Sequence, residues 1–322
     1  MALNERELIE RYFRDCGARR ADVALGVGDD AALLDCPPGM QLVAATDTLV
    51  SGIHFLPHFP PESIGHRALA VNLSDIAAMG AWPAWALLAL TLPKVEEAWL
   101  QGFASGLDAL ARKHDVALVG GDTTSGPLCI TIQLLGHAPR PPVMLRSGGL
   151  AGHVLFVSGT PGDAGAGLAL ELGKLTGVSP EAAAYLRNRF LFPTPRVELG
   201  QKLRDYASAC IDVSDGLLGD AGKLAEASRC GAQIVWEQLP VSAQLLSAGD
   251  ARAREFALTG GDDYELCFAV APENVERLTR DLPPRQWGYR PIGVLRESPG
   301  IVVTRGGTVM DFSHSGFDHF GS

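Results

Sequence analysis

No two of the six cysteines in this 322-residue chain, Cys16, Cys36, Cys129, Cys210, Cys230 and Cys267, are spaced C-x-x-C. With no zinc-ribbon or redox pair and most thiols in apolar segments, reduced cysteines in a cytosolic protein are the simplest reading. The chain also lacks a basic excess: its formal net charge is −10. That argues against nucleic acid as a main partner, which would need a positive field, but not against nucleotides, because bound Mg²⁺ inverts the local sign. No run of about eighteen apolar residues occurs, and the acidic, amphipathic start M-A-L-N-E-R-E-L-I-E has no apolar h-region, so the expectation is a soluble, cytoplasmic protein with no membrane partner. No internal repeat or low-complexity tract is visible.

Several catalytic signatures are missing too. There is no G-x-x-x-x-G-K-[ST], H-R-D or D-F-G, so any ATP chemistry is not that of a P-loop or protein-kinase enzyme. G-T-P-G-D-A-G-A-G-L (159–168) resembles a dinucleotide loop only superficially; without G-x-G-x-x-G placement after a first strand it reads as a turn and a helix start. His54 and His58 are four apart, but Pro57 lies between them and no H-E-x-x-H forms, which speaks against a zinc pair. Ser214 lies between Asp212 and Asp215 outside any G-x-S-x-G, and no histidine has a sequence relation to it, so a hydrolase triad is not indicated.

What the chain does have is aspartate set beside glycine or hydroxyl residues in six blocks. They are G-V-G-D-D-A (26–31), A-T-D-T-L (45–49), N-L-S-D-I-A-A-M-G-A (72–81), G-G-D-T-T (120–124), D-V-S-D-G-L (212–217) and G-G-D-D-Y-E-L (260–266). Mg²⁺ takes oxygen ligands and is held by one or two carboxylates plus water and substrate phosphates, so aspartates spread over several loops suit a multi-magnesium nucleotide site. Glycines beside them let backbone N–H groups approach phosphate oxygens. Each block alone reads first as a turn; six of one character, all where apolar runs end, do not.

The length suggests about two domains, and 47% hydrophobic with 20% charged residues is an ordinary globular mixture able to fill a core. The first half predicts a helix over 5–16 and a short buried strand over 41–46 that delivers Thr46, Asp47 and Thr48 at its end. A helix over 62–79 follows, then a strand over 84–92, a helix over 96–114, a short strand over 116–119 running into Gly120-Gly121-Asp122, and a strand over 128–135. Asp75 sits among apolar neighbours on the 62–79 helix. An unpaired carboxylate there would cost several kcal/mol, so it should meet a cation or reach solvent. A-P-R-P-P followed by R-S-G-G is the best linker signal and places a boundary near 140–150, with domains 1–140 and 150–322. The second half predicts strands at 154–158, 209–213, 232–236, 265–270, 291–295 and 301–304, and helices near 163–173, 180–191, 195–206 and 217–230. The interleaving lacks a regular βαβ cadence and favours α+β.

Arg146, just beyond the linker, reads alone as a solvated arginine, but in a carboxylate-rich site it is the natural fork for phosphate. G-F-D-H-F (316–320) either pins the C-terminus or stacks on a ligand.

Taken in order, the blocks resemble those of the thiamine-monophosphate kinase family, in the superfamily that includes aminoimidazole-ribonucleotide synthetase and selenophosphate synthetase. The resemblance runs from about residue 4 to 320, and D-T-L-V-x-G-x-H-F with the terminal G-F-D-H-F is similar to the thiamine branch. It implies a two-domain α+β subunit of the aminoimidazole-ribonucleotide synthetase fold. The N-terminal metal, ATP and dimerisation domain would pair in a homodimer, and the C-terminal domain would complete the nucleotide and substrate site. It further implies ATP as co-substrate with several Mg²⁺ ions and thiamine monophosphate as substrate. By motif match Asp30, Thr46, Asp47, Asp75, Asp122, Asp212 and Asp215 would hold metal. Residue 45 departs from the family, which often has a hydroxyl there, so Ala45 could contribute only its backbone carbonyl. Gly121, Asp122, Arg146 and Ser214 would touch ATP, while His54, Asp263 and Phe317 would hold thiamine monophosphate; whether Asp29 also binds metal stays open.

The chemistry is consistent with that assignment. A phosphate monoester acceptor is already anionic at pH 7 and needs no catalytic base, which fits the missing H-R-D. Another ATP-dependent member of the superfamily is the alternative enzyme, although Cys16 in R-D-C-G-A-R is not the reactive cysteine context of selenophosphate synthetases. An acidic metal-binding protein without activity is the non-enzymatic alternative; no D-x-[DN]-x-[DN]-G calcium loop supports it.

Overall fold

The computed structural model describes residues 3–140 and 144–310. The chain packs as two compact units, one comprising Met1–Ile76 and Ala81–Val143, the other Ala77–Gly80 and Met144–Ser322. Each is α+β, as the sequence predicts.

The first unit contains α1 (Glu5–Tyr12), β1 (Val23–Leu25), β2 (Leu33–Leu34), β3 (Met40–Val50), α2 (Pro61–Ala78), β4 (Trp82–Leu92), α3 (Glu97–Lys113), β5 (Ala117–Ser125) and β6 (Cys129–Pro139), α2 ending in the short Ala77–Gly80 segment. Asn4 starts α1 with a full capping box, its side chain accepting from Glu7 N–H while Glu7 reaches back to Asn4 N–H. The sheet runs β3-β6-β4-β5, antiparallel except for the β4–β5 pair. Burial along β3 alternates: Leu42, Ala44, Thr46 and Thr48 are exposed, while Leu49 is buried and Val43, Ala45 and Asp47 are half-buried. One sheet face is therefore open and the other covered. α2 lies on the covered side, since its Asp75 hydrogen-bonds Asp47.

Helices α2 and α3 cross at very short range. A Cβ on Gly65 would stand 2.0 Å from the Phe103 carbonyl oxygen, and one on Gly106 would stand 1.9 Å from that of Glu62. Only hydrogen fits at those two positions.

Two expected strand ends are corrected. Thr46 and Asp47 sit in the middle of β3 rather than at its end, and β5 continues through Gly120, Gly121 and Asp122 to Ser125. Thr46 and Thr48 of β3 and Asp122 of β5 are exposed, and an open face needs no apolar side chains there.

The second unit contains β7 (Val154–Ser158), α4 (Asp163–Glu171), α5 (Pro180–Leu191), α6 (Val197–Leu203), β8 (Ala207–Val213), α7 (Leu217–Ala227), β9 (Gly231–Val235), α8 (Ala243–Leu246), α9 (Asp250–Thr259), β10 (Glu265–Val270), α10 (Pro272–Asp281), α11 (Pro284–Trp287), β11 (Tyr289–Arg296), β12 (Gly300–Arg305) and β13 (Thr308–Met310). Its sheet runs β13-β12-β9-β11-β7-β10-β8, with only β12 and β9 parallel. Leu155, Val157, Ile211, Leu224, Ile234 and Leu258 belong to its main core. Helices α8 to α11 and strands β1, β2 and β13 are additions to the elements predicted from sequence. All six cysteines are free, and Cys36 alone among them is exposed. Among the described residues no helix is long and apolar enough to cross a membrane.

Candidate functional site

The open face of the first sheet floors a groove of about 1430 Å³, walled by α1 and the loop carrying Gly28, Asp29 and Asp30. Thr46, Ala89, Thr131 and Gln133 contribute to the floor, with Gly120, Gly121 and Asp122 along one side. The hydroxyls of Thr48 and Thr131 meet across β3 and β6 at 2.8 Å, and Thr46 Oγ1 donates to the Ile132 carbonyl at 3.3 Å. Asp29, Asp30 and Asp122 are all exposed. Gly121 is obligatory for the backbone here: its φ is +144°, and a Cβ would lie 1.8 Å from the Leu88 carbonyl oxygen. The groove thus gathers Asp30, Thr46, Asp122 and Gly121, which the sequence set in three separate blocks.

Asp47 and Asp75 lie on the covered side of the sheet. Burial pushes the Asp47 carboxyl above the ordinary range, and the hydrogen bond with Asp75 only partly offsets that. Two carboxylates in hydrogen-bond contact need a proton or a cation between them. Asp75, expected to meet a cation or reach solvent, meets the Asp47 carboxyl instead. Among the described residues no three His, Cys, Asp or Glu side chains converge into a ready cage. The donor set, a pair of carboxylates, fits a hard cation completed by water and phosphate, the usual manner for Mg²⁺.

His54 follows β3 in a tight turn. Its Nδ1 accepts the Val50 N–H at 3.0 Å, which leaves Nε2 as the protonated nitrogen of the neutral ring.

In the second unit, β8 delivers Asp212, 6% exposed, and the following turn carries Ser214 and Asp215 into α7. That turn packs against the 260–264 loop through Asp262 N–H to the Ser214 carbonyl and Tyr264 N–H to the Val213 carbonyl, both at 2.8 Å. Asp262 and Tyr264 have φ of 68° and 53°, left-handed values uncommon for such residues. The two aspartate blocks of this unit are thereby joined.

Asp263 is not placed as a substrate wall. It is 1% exposed, and its carboxylate accepts Gly162 N–H at 2.7 Å and Ala164 N–H at 3.3 Å, capping α4 where Gly162 has no side chain to do so. Burial drives its carboxyl well up, and the two amides only partly counter this.

Nor does Arg146 lie beside Ser214. Its carbonyl accepts from Ser228 Oγ at 3.0 Å, at the far end of α7, an eleven-residue helix about 16 Å long, and the Arg146 side chain is exposed. Phe317 lies outside the described residues.

Sequence reasoning missed several polar residues that hold these loops. Glu265 is fully buried and accepts from Arg189 at 2.8 Å, from Arg196 twice at 2.6 Å and from Ser158. Burial raises its carboxyl, but the Arg196 and Arg189 guanidiniums and the Ser158 hydroxyl outweigh that and leave it below the ordinary range. Asp220 and Lys223 brace the Ser214–Asp215 turn. An acid in the first turn of a helix was a usable signal for Asp220, because such residues satisfy free N–H groups there.

Residues 28–138 match the family described as AIR synthase related protein, N-terminal domain, and residues 151–306 match its C-terminal domain. The chain is 47% identical to the thiamine-monophosphate kinase of Salmonella typhimurium over 324 residues, covering 99% of each chain. Its structure is similar to that of the thiamine-monophosphate kinase from Stenotrophomonas maltophilia, with TM-score 0.83 and 44% identity over 88% of this chain and 92% of that one. It is also similar to AaThiL complexed with AMPPCP and TMP, with TM-score 0.78 and 33% identity over 91% of this chain and 92% of that one. Two α+β domains with aspartate-bearing loops define an AIR-synthase-related protein. Within that class, the chain belongs to the thiamine-monophosphate kinase family.

Proposed function

We propose that this protein phosphorylates thiamine monophosphate to thiamine diphosphate with ATP as donor, by direct in-line transfer aided by several Mg²⁺ ions. The observation that carries the reading is the Asp47–Asp75 carboxylate pair, on the covered face of a sheet whose open face floors an acidic groove, in a chain 47% identical over 324 residues to a thiamine-monophosphate kinase. The AaThiL complex, which holds an ATP analogue together with TMP, supports the same pair of substrates.

The obstacle to the reaction is bringing two phosphate anions together. Like charges 4 Å apart at an effective dielectric near 20 repel by roughly 4 kcal/mol. Bound Mg²⁺ would supply the positive charge that offsets this and stabilises the transferring phosphoryl group. In the first unit Asp30, Thr46, Asp47, Asp75 and Asp122 would hold ions, Ala45 adding at most its carbonyl, and in the second unit Asp212 and Asp215 would do so. Gly121 brings backbone close to a ligand without a side chain, and Ser214 presents a hydroxyl at a helix start; both suit ATP phosphates. Arg146 is an exposed residue that suits a fork onto phosphate, and His54 would hold the acceptor substrate. Phe317 remains our candidate for stacking on the thiamine ring. Asp263 shapes the loop through its α4 cap. No side chain has to remove a proton, because the acceptor is already an anion.

We also infer a homodimer formed through the first unit. Leu42 and Ala44, exposed on the part of the sheet face outside the groove lining, support that pairing.

A coupled assay for thiamine diphosphate from thiamine monophosphate, ATP and Mg²⁺ tests the activity. Product formation that requires all three is the expected result, and its absence overturns the reading.

A further inference from the structure

The turn that closes β8 is braced by two side chains outside the aspartate blocks. Asp220 is 1% exposed, and its Oδ2 accepts the backbone N–H groups of both Ser214 and Asp215 at 2.9 Å. Its Oδ1 accepts from Lys223 Nζ at 2.8 Å, and the same ammonium binds the Asp215 carboxylate. Amides at a helix start are where an external anion commonly binds. Here an internal carboxylate occupies them, so the turn is set before any ligand arrives.

The two halves of the network differ in access to water. The Asp220 side chain is 2% exposed, whereas Lys223 and Asp215 are 45% and 35% exposed. The ammonium can therefore leave Asp215 for solvent without unlocking the turn. An exposed lysine–carboxylate pair is weak enough for such an exchange.

We propose that Asp220 and Lys223 are positioning residues for nucleotide: Asp220 presets the Ser214–Asp215 turn, and Lys223 keeps the place beside Asp215 that a magnesium ion takes when nucleotide binds. This rests on the magnesium–nucleotide reading of that turn given above. Divalent affinity at Asp215 is then set by competition with a built-in monovalent cation. The enclosed Asp220 stays bonded to the turn whichever cation is present.

Calorimetry with a non-hydrolysable ATP analogue at graded Mg²⁺, thermal melting, and steady-state kinetics with each substrate varied test this. Asp220→Ala is expected to weaken analogue binding about tenfold or more while the KM for thiamine monophosphate stays within about twofold, the scale found for groups that orient a ligand-binding residue. Asp220→Asn keeps an oxygen for both amides and should return to within about threefold of wild type. Lys223→Met should lower the Mg²⁺ needed for half-saturation about threefold, its competitor being gone. Unchanged analogue affinity in Asp220→Ala, or a parallel change of both KM values with the melting temperature, overturns the proposal. So does a Mg²⁺ requirement in Lys223→Met equal to or above that of wild type, and this variant decides alone if Asp220→Ala does not fold. A wild type that binds the analogue but makes no thiamine diphosphate sinks the proposed activity and leaves this inference standing; one that binds no nucleotide sinks both.

Discussion

Asp47 and Asp75 illustrate how one residue pair can be kept at a cost to the fold. Burial of Asp47 disfavours its charged form, and the neighbouring acid forces the two to share a proton unless a cation intervenes. Asp47→Asn should therefore leave the apo protein as stable as wild type or more so. Loss of metal-borne charge stabilisation, worth several kcal/mol, should lower phosphoryl transfer by roughly a hundredfold or more. Melting curves alongside the coupled assay check this; activity within about threefold of wild type at saturating Mg²⁺ would remove Asp47 from the metal site.

Glu265 shows the opposite balance. Its folded carboxyl sits below its unfolded value, so its ionised form contributes stability that is fully present above about pH 4.5 and fades as the pH falls through the folded value. Glu265→Gln leaves Arg189 and Arg196 facing a neutral group. It should cost about 3 kcal/mol at pH 7, the low end for breaking a buried pair, because Arg196 retains 28% exposure. Urea unfolding at pH 7, 4 and 3 should show the gap between variant and wild type closing as pH falls; a gap independent of pH would mean that the charge is not what stabilises.

At the scale of elements, the legible ones were those whose apolar runs had clear limits. The strands at 154–158 and 265–270 are observed at those positions, as is the helix at 180–191, whose start Ser179 caps. Helices α9 and α10 went unread because charged residues interrupt the apolar pattern of D-A-R-A-R-E-F-A-L-T and P-E-N-V-E-R-L-T-R-D and few positions are buried. The aspartate blocks flagged the loops but not their scaffolding. A carboxylate that meets only backbone amides, as in Asp263, carries the same letters as one that meets a ligand. The Asp47–Asp75 contact joins a strand to a helix nearly thirty residues away, and strand parity gives the face of Asp47 without giving its neighbour.

The α2–α3 crossing turns this into a test. Gly106→Ala gains up to about 1 kcal/mol of helix propensity, but the new Cβ would stand 1.9 Å from the Glu62 carbonyl oxygen. Overpacking typically costs about 1–3 kcal/mol, so net destabilisation is expected, and because α2 carries Asp75 the rate should fall as well. Denaturant midpoints and kcat measured together check this; a more stable Gly106→Ala would mean that the helices part freely.

For the molecule as a whole, the unresolved demand is the open face of the first sheet. A sheet normally covers at least one face with apolar packing, and this one has done so with α2 on the Asp47 side. Yet its other face still exposes Leu42, at 59%, in line with Ala44 and outside the groove lining. Pairing of two such Leu42 patches would remove that apolar surface from water, and a two-fold arrangement would make the patch self-complementary. Leu42→Arg introduces one charge per protomer, and both must then be desolvated or repel each other across the same patch. Sedimentation should show wild type as a dimer and Leu42→Arg shifted toward monomer, with the melting temperature of the second unit's transition unaffected. A wild type that sediments as a monomer at micromolar concentration would overturn the pairing, and a Leu42→Arg variant that remains fully dimeric would move the interface elsewhere on the unit.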